Sequence, residues 1–255
     1  MLALAAATLV VCAPGFPGSS AEAQPAMEAL AGSLATAARL PPGSLAAVYE
    51  EAEAGGMRRL AQKDASLLLA PLPFYLEHEQ ELRLTPRLSA VPREGEPLER
   101  WTLVSGKDHP PVLEGYTVLS SAGYSKRFVH AAAPTLPAQV EIRQDTSVLS
   151  SLRRAASGEK VAVLLDGAQS AALGKLPFAA SLATVSTSAP MPVALVATVG
   201  KRMEQRRWKD LQVAFQQLGS DPRGREALDG VRMRGFVPLD PKALTAARLA
   251  WRRAR

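Results

Sequence analysis

Cysteine is nearly absent from this chain, which has 255 residues and one thiol, Cys12. That excludes an internal disulfide framework, and the apolar neighbours Leu9, Val10 and Val11 mark Cys12 as a buried thiol rather than a reactive one. Three histidines, His78, His109 and His130, stand singly, and no His/Cys/Asp/Glu group has metal-ligand spacing, so neither a metal nor a cofactor is expected. The sequence lacks G-x-S-x-G, the P-loop and G-x-G-x-x-G. Asp166 is then a lone carboxylate with no nucleophile or metal near it in sequence, and the chain reads as a binding protein rather than an enzyme. No apolar run reaches the ~18–20 residues that span a bilayer. The formal charge of +6 is spread along the chain, and its densest runs, Lys201–Lys209 and Arg252–Arg255, come without aromatics enough or a motif for nucleic acid.

What is present is an ordinary globular composition, 47% apolar, on a chain long enough for one large domain or two small ones. Its most regular stretch is Glu141–Gln169. Val140 and Ile142 open a short strand, and Asp145-Thr146 is an N-cap signal. Val148, Leu149, Leu152, Ala155 and Ala156 share one helical face, with Ser150, Ser151, Arg153 and Arg154 opposite. Gly158 stops the helix, and Val161–Leu165 is a continuous apolar strand of the parallel-sheet kind. Asp166 follows at its carboxyl end, where open α/β sheets place ligands.

A looser copy lies earlier: a strand at Leu45–Tyr49, a short helix at Gly55–Gln62, a second strand at Ser66–Ala70, and a loop through Pro71-Leu72-Pro73-Phe74-Tyr75. Two β-α-β units of this kind predict two α/β lobes around a binding cleft. Before the first unit, Thr8–Ala13 reads as a strand that ends in the turn Pro14-Gly15, and Ser19 with Glu22 makes a capping box. The apolar stretch Leu2–Cys12 also resembles part of an export signal, with residues 1–7 as its remnant. Tyr116–Leu119 is a short strand, and Ser120-Ser121-Ala122-Gly123-Tyr124 opens the helix Ser125–Ala133. Hydroxyls and a glycine at such a turn serve either as an anion site or as a helix cap.

Taken in order, these segments resemble the periplasmic solute-binding proteins of phosphate/phosphite/phosphonate-type ABC importers. Lys63–Tyr75 is similar to that family's helix, strand and G-P-x-x-Y segment, and Leu113-Glu114-Gly115 with Ser120–Tyr124 to its L-x-G and hydroxyl-rich loop. Ser157–Ala162 leading to Asp166, Ser188–Pro192 and Gly235–Pro238 resemble later parts of the same pattern. The resemblance implies the type 2 periplasmic-binding-protein fold: an α/β chain in two lobes, each a mostly parallel sheet flanked by helices. Lobe 1 would be residues 8–100 with 190–255, lobe 2 residues 101–189, joined by hinge crossovers near Trp101–Val104 and Ser186–Pro192.

The same resemblance implies the site. Ser120, Ser121 and Tyr124 would bind ligand oxygens at one helix N-terminus, and Thr146 and Ser147 at another. Asp166, with Gln169 beside it, would accept from a ligand hydroxyl or amine. Tyr75, Gly15 and Phe16 would close the cleft from lobe 1. The implied function is capture of a small polar or oxyanionic solute, phosphonate- or phosphate-like, by an exported, periplasmic and monomeric protein. Its partner would be an ABC permease or, alternatively, a membrane sensor kinase; the remaining alternative is an enzyme on the same fold with Asp166 as its base. The chain departs from the family in carrying Asp145-Thr146-Ser147 where a histidine is common, and a loop poorer in threonine at Ser120–Tyr124.

Overall fold

The computed structural model describes residues 7–15 and 18–254. The export-signal reading of residues 1–7 therefore lies almost wholly outside the described residues, and so does Phe16. In chain order the elements begin with β1 (Ala7–Cys12), α1 (Ser20–Ala37), β2 (Leu45–Glu50), α2 (Glu53–Leu60), β3 (Ala65–Pro71) and α3 (Leu72–His78). There follow β4 (Leu84–Pro92), β5 (Leu98–Glu99), β6 (Thr102–Gly106), β7 (Thr117–Ser120), α4 (Lys126–Ala132), β8 (Glu141–Gln144) and α5 (Val148–Ala156). Next come β9 (Val161–Leu165), α6 (Gly167–Ala172), β10 (Leu182–Thr187), β11 (Met191–Pro192) and β12 (Ala194–Val199). The chain closes with α7 (Gln205–Gln217), α8 (Pro222–Gly230), β13 (Met233–Pro238) and α9 (Pro241–Arg253). No helix among the described residues is long and apolar enough to cross a membrane.

The chain divides into two compact units. The first contains the residues up to Pro97 together with Pro192–Asp240, and the second contains Leu98–Met191 together with the chain from Pro241 onward. The crossings thus fall at Pro97/Leu98 and Met191/Pro192, and a third falls at Asp240/Pro241. Trp101–Val104, expected as a crossover, belongs instead to the second unit and runs into β6, which is hydrogen-bonded on both sides by β9 and β10.

The first unit has a six-stranded sheet in the order β13-β4-β12-β3-β1-β2. β1 lies parallel to both β2 and β3, whereas β12 and β4 run antiparallel to their neighbours. Leu9 and Val11 of β1 meet Leu67 and Leu69 of β3, and α1 covers them with Met27, Leu30 and Leu34. Each such burial contributes about 1.5–3 kcal/mol. The Ser19–Glu22 capping box sets where α1 starts: Ser19 Oγ accepts from the Glu22 amide, and the Glu22 carboxylate accepts from the Ser19 amide. Trp208 and Phe215 of α7 close the same core, with Phe236 edge-on to Phe215 at 4.8 Å.

The loop expected at Pro71–Tyr75 is not a loop. β3 passes directly into α3 at Leu72, and Pro73 sits in the first helical turn, where its missing N–H costs nothing. Tyr75 is consequently carried into the core, 0% exposed, and its hydroxyl donates to Glu79 Oε1 at 2.7 Å.

The second unit has a five-stranded sheet, β10-β6-β9-β7-β8. β7 is parallel to β8 and β9, and β6 is antiparallel to β9 and β10. Both sheets are therefore mixed rather than mostly parallel. Parallel pairs form where crossover helices return the chain to the same end of the sheet: α4 leads from β7 to β8 beside it, and α5 leads from β8 to β9 on the other side of β7, whereas strands that arrive by another route pair antiparallel.

α9 departs from a second expectation, which places residues 241–255 in lobe 1. It packs in the second unit with Ala243, Leu244 and Ala247 buried. Arg127 of α4 holds it, with Nε donating to the Trp251 carbonyl at 2.9 Å and the guanidinium 4.9 Å from the centre of the Trp251 ring. An amphipathic helix fits any apolar surface of the right width, so its periodicity alone does not name the unit it joins.

Candidate functional site

The site is built where β7, β8 and β9 end. These three strands run parallel and side by side, so the loops that follow them, 120–124, 145–147 and 166–169, emerge from one edge of the second unit's sheet. Ser120 ties the three together. Its Oγ donates to the Leu164 carbonyl at 2.9 Å and accepts from the Ala122 amide at 3.2 Å, while its carbonyl accepts from the Asp145 amide at 2.9 Å. Gly123 is required by this closeness, because a Cβ there would meet the Arg143 carbonyl oxygen at 2.4 Å and the Gln144 nitrogen at 2.5 Å.

The three loops carry different kinds of group. Ser120 and Ser121 are buried and Tyr124 half-buried, and the helix after them is capped by Ser125, whose Oγ accepts from the Phe128 amide. In the second loop the N-cap of α5 is Ser147, whose side chain makes no capping hydrogen bond, rather than the Asp145-Thr146 pair as expected, and Asp145 braces the turn before it. Its Oδ1 accepts from the Ser147 amide at 2.7 Å and its Oδ2 from Ser151 Oγ at 2.5 Å. That bond draws Ser151, expected on the polar face of α5, into the interior, while Leu149, expected inward, is left exposed. Thr146 and Ser147 are both exposed at the edge.

In the third loop Asp166 caps α6 in a reciprocal pair with Gln169. Asp166 Oδ1 accepts from the Gln169 amide at 2.8 Å, and Gln169 Oε1 accepts from the Asp166 amide at 3.2 Å. Asp166 is only 8% exposed, and burial pushes its carboxyl pKa up, against the pull of the Gln169 and Ala168 amides.

Glu99, which the sequence did not single out, completes the arrangement. It sits on β5, the short strand that pairs with β11, and its Oε2 accepts from the Gly167 amide at 2.8 Å. The approach is tight enough that a Cβ at Gly167 would stand 2.8 Å from the Glu99 Cβ. Burial first, and the neighbouring Asp166 carboxylate second, push the Glu99 pKa up to about 8, while the Gly167 amide and the Trp101 indole draw it down. Trp101 is 4% exposed, so its indole shares the water-poor surroundings of Glu99. Two carboxyls this close cannot readily both ionise, so at pH 7 Glu99 keeps its proton for most of the time. The flanking Leu98, Arg100 and Trp101 give Glu99 no motif; only the fold brings it to Asp166.

The residues expected from the first unit lie in that unit. Gly15 is in the turn after β1 at φ +85°, a left-handed conformation suited to glycine, and Tyr75 is in the core. Loops 120–124, 145–147 and 166–169 carry no Lys or Arg. Among the described residues no three His, Cys, Asp or Glu are placed to hold a metal. The edge therefore offers hydroxyls, backbone amides and two neighbouring carboxyls, a set suited to hydrogen-bonding a small polar molecule.

No protein-family model matches the chain, and no curated protein matches it by sequence. Solved structures do. XAC2383 from Xanthomonas citri, solved with chloride ion, superimposes with a TM-score of 0.75 at 17% identity, over 96% of this chain and 98% of that one. The binding protein component of an ABC phosphonate transporter from Pseudomonas aeruginosa gives 0.64 at 13% identity, over 96% and 85%. PhnD1 from Prochlorococcus marinus, in complex with methylphosphonate, gives 0.59 at 11%, over 96% and 97%. At these identities the likeness is one of fold: this chain has the α/β fold of the two-lobed periplasmic solute-binding proteins.

Proposed function

We propose that the protein is an exported solute-binding protein that captures a small polar molecule and presents it to an ABC permease. The observation that carries this reading is the convergence of three loops at one sheet edge, with Ser121, Thr146 and Ser147 supplying hydroxyls and Glu99 and Asp166 supplying carboxyls. In this reading the two units act as the lobes of a hinge, with the crossings near Pro97 and Met191 bending. A ligand must touch both lobes to favour the closed form, since contact with one shifts no equilibrium.

The carboxyl pair narrows the ligand. A phosphate-like dianion held without Lys or Arg would stand against Asp166, and two unit charges ~4 Å apart at an effective dielectric of 20 interact by about 4 kcal/mol. A molecule that carries an ammonium or hydroxyl donor beside its oxyanion, such as an aminophosphonate, relieves that repulsion by donating to Asp166.

A thermal-shift and calorimetric screen tests the reading. The panel holds phosphate, phosphite, sulfate, alkylphosphonates and aminophosphonates, with Asp166→Ala and Ser121→Ala as variants. A ligand at 100 times its dissociation constant should stabilise the protein by about 2.7 kcal/mol. The expected outcome is a response to an aminophosphonate that exceeds that to phosphate and is lost in Asp166→Ala. A folded protein that answers to none of the panel would overturn the transport reading and turn attention to a membrane sensor or another partner.

A further inference from the structure

We infer that the second unit carries a separate site for a small organic carboxylate at the carboxyl end of α4. A cavity of about 310 Å³ opens there, far along α4 from the loop 120–124 that precedes it. That volume is at the lower bound of ligand cavities, ~300–1,000 Å³, and suits a molecule of benzoate or hexanoate size. Its walls are apolar: Ala131 at the end of α4, Pro134 and Leu136 in the following segment, and Ala250 in the last turns of α9. Two polar groups face it, His130 and Arg253, and no carboxylate lines it among the described residues.

The charges around the cavity favour an anion. Residues 241–255 contain five Lys or Arg and no Asp or Glu. The carbonyl end of α9, which would otherwise attract the nearest cation, is already answered by Arg127, which donates to the Trp251 and Arg252 carbonyls. Arg253 borders the cavity, and a guanidinium is the side chain whose fork of N–H donors matches a carboxylate. Burial holds the His130 pKa below its ordinary value, so at pH 7 the neutral imidazole adds a hydrogen-bond donor without a second full charge. One cation, one neutral donor and apolar walls together select a monoanion with a compact hydrocarbon body. An inorganic dianion finds too little charge there, and a neutral molecule leaves Arg253 unanswered.

The test uses the full chain and titrates benzoate and hexanoate against benzamide and hexanol, following amide NMR shifts of residues 129–138 and 247–254. The two carboxylates should bind and the neutral analogues should bind about tenfold more weakly, the range expected for a charged hydrogen bond. Arg253→Gln, a change at an exposed side chain, should erase that difference. Ala250→Phe, which fills the cavity, should abolish the shifts, with its melting curve read alongside to show that the chain is folded. Asp166→Ala should leave them intact, which separates this site from the one proposed above. Shifts absent with both carboxylates, or equal for benzoate and benzamide, or unchanged in Arg253→Gln, would overturn the inference.

Discussion

Replacing Glu99 by Gln should change how stability depends on pH, and the structure sets the direction. In the unfolded chain this carboxyl ionises near its ordinary pKa of 4.5; in the folded protein it holds its proton up to about 8. The neutral form is thus favoured in the native state. Its contribution is fully present below pH 4.5 and is lost as the pH rises from there through 8. One pKa unit corresponds to about 1.36 kcal/mol, which caps the effect near 5 kcal/mol. Residual solvent contact and the shared titration with Asp166 bring the expectation to about 2–3 kcal/mol. Gln is nearly isosteric, keeps an oxygen to accept from the Gly167 amide and cannot ionise. Urea unfolding of wild type and Glu99→Gln at pH 5, 7 and 9 isolates the difference, since every other group titrates in both. Wild type should lose about 2–3 kcal/mol more than the variant between pH 5 and 9. In Asp166→Asn, which retains a capping oxygen, the Glu99 carboxyl followed by carbon NMR should titrate at lower pH than in wild type. Parallel stability curves for wild type and Glu99→Gln would refute the reasoning, because they would mean that Glu99 is as ionised in the folded chain as in the unfolded one.

Two further outcomes follow from the same geometry. Gly123→Ala should destabilise the second unit by more than 2 kcal/mol, about the upper range for a single substitution, because the new methyl meets the Arg143–Gln144 backbone, which cannot swing aside; a melting temperature equal to wild type would show that the loop 120–124 is looser than described. Asp64→Asn should flatten acid unfolding, since the Arg59 guanidinium and the Thr8 hydroxyl hold the Asp64 carboxyl well below the usual range, and the stability this supplies is present above pH 4 and lost as the pH falls. At neutral pH the substitution should cost only about 1 kcal/mol, because this carboxylate is partly exposed and screened; equal acid midpoints for the two proteins would count against the pairing.

The amino-acid sequence by itself determined the elements whose signals are local. β1 and β9 are apolar runs bounded by turn residues, α1 announces itself through Ser19, Glu22 and its apolar stripe, and Asp166 follows a buried strand at the position where α/β sheets hold ligands. Residues such as Ser120 and Asp166 were legible as site candidates because a strand, a polar loop and a helix succeed one another within a dozen positions. The tertiary structure alone decided the rest. Glu99 becomes a proton-holding carboxyl only beside Gly167, 68 positions away, in surroundings poor in water. α9 joins the second unit because Arg127 and the apolar surface around α4 receive it, and its periodicity would have suited either unit. Tyr75 lies in the core because β3 runs into α3 without a loop, and both sheets are mixed because strand direction depends on the route by which the chain returns. Caps and periodicities are properties of neighbours along the chain, whereas a pKa, a packing partner and a strand's direction are set by groups that are neighbours only in space.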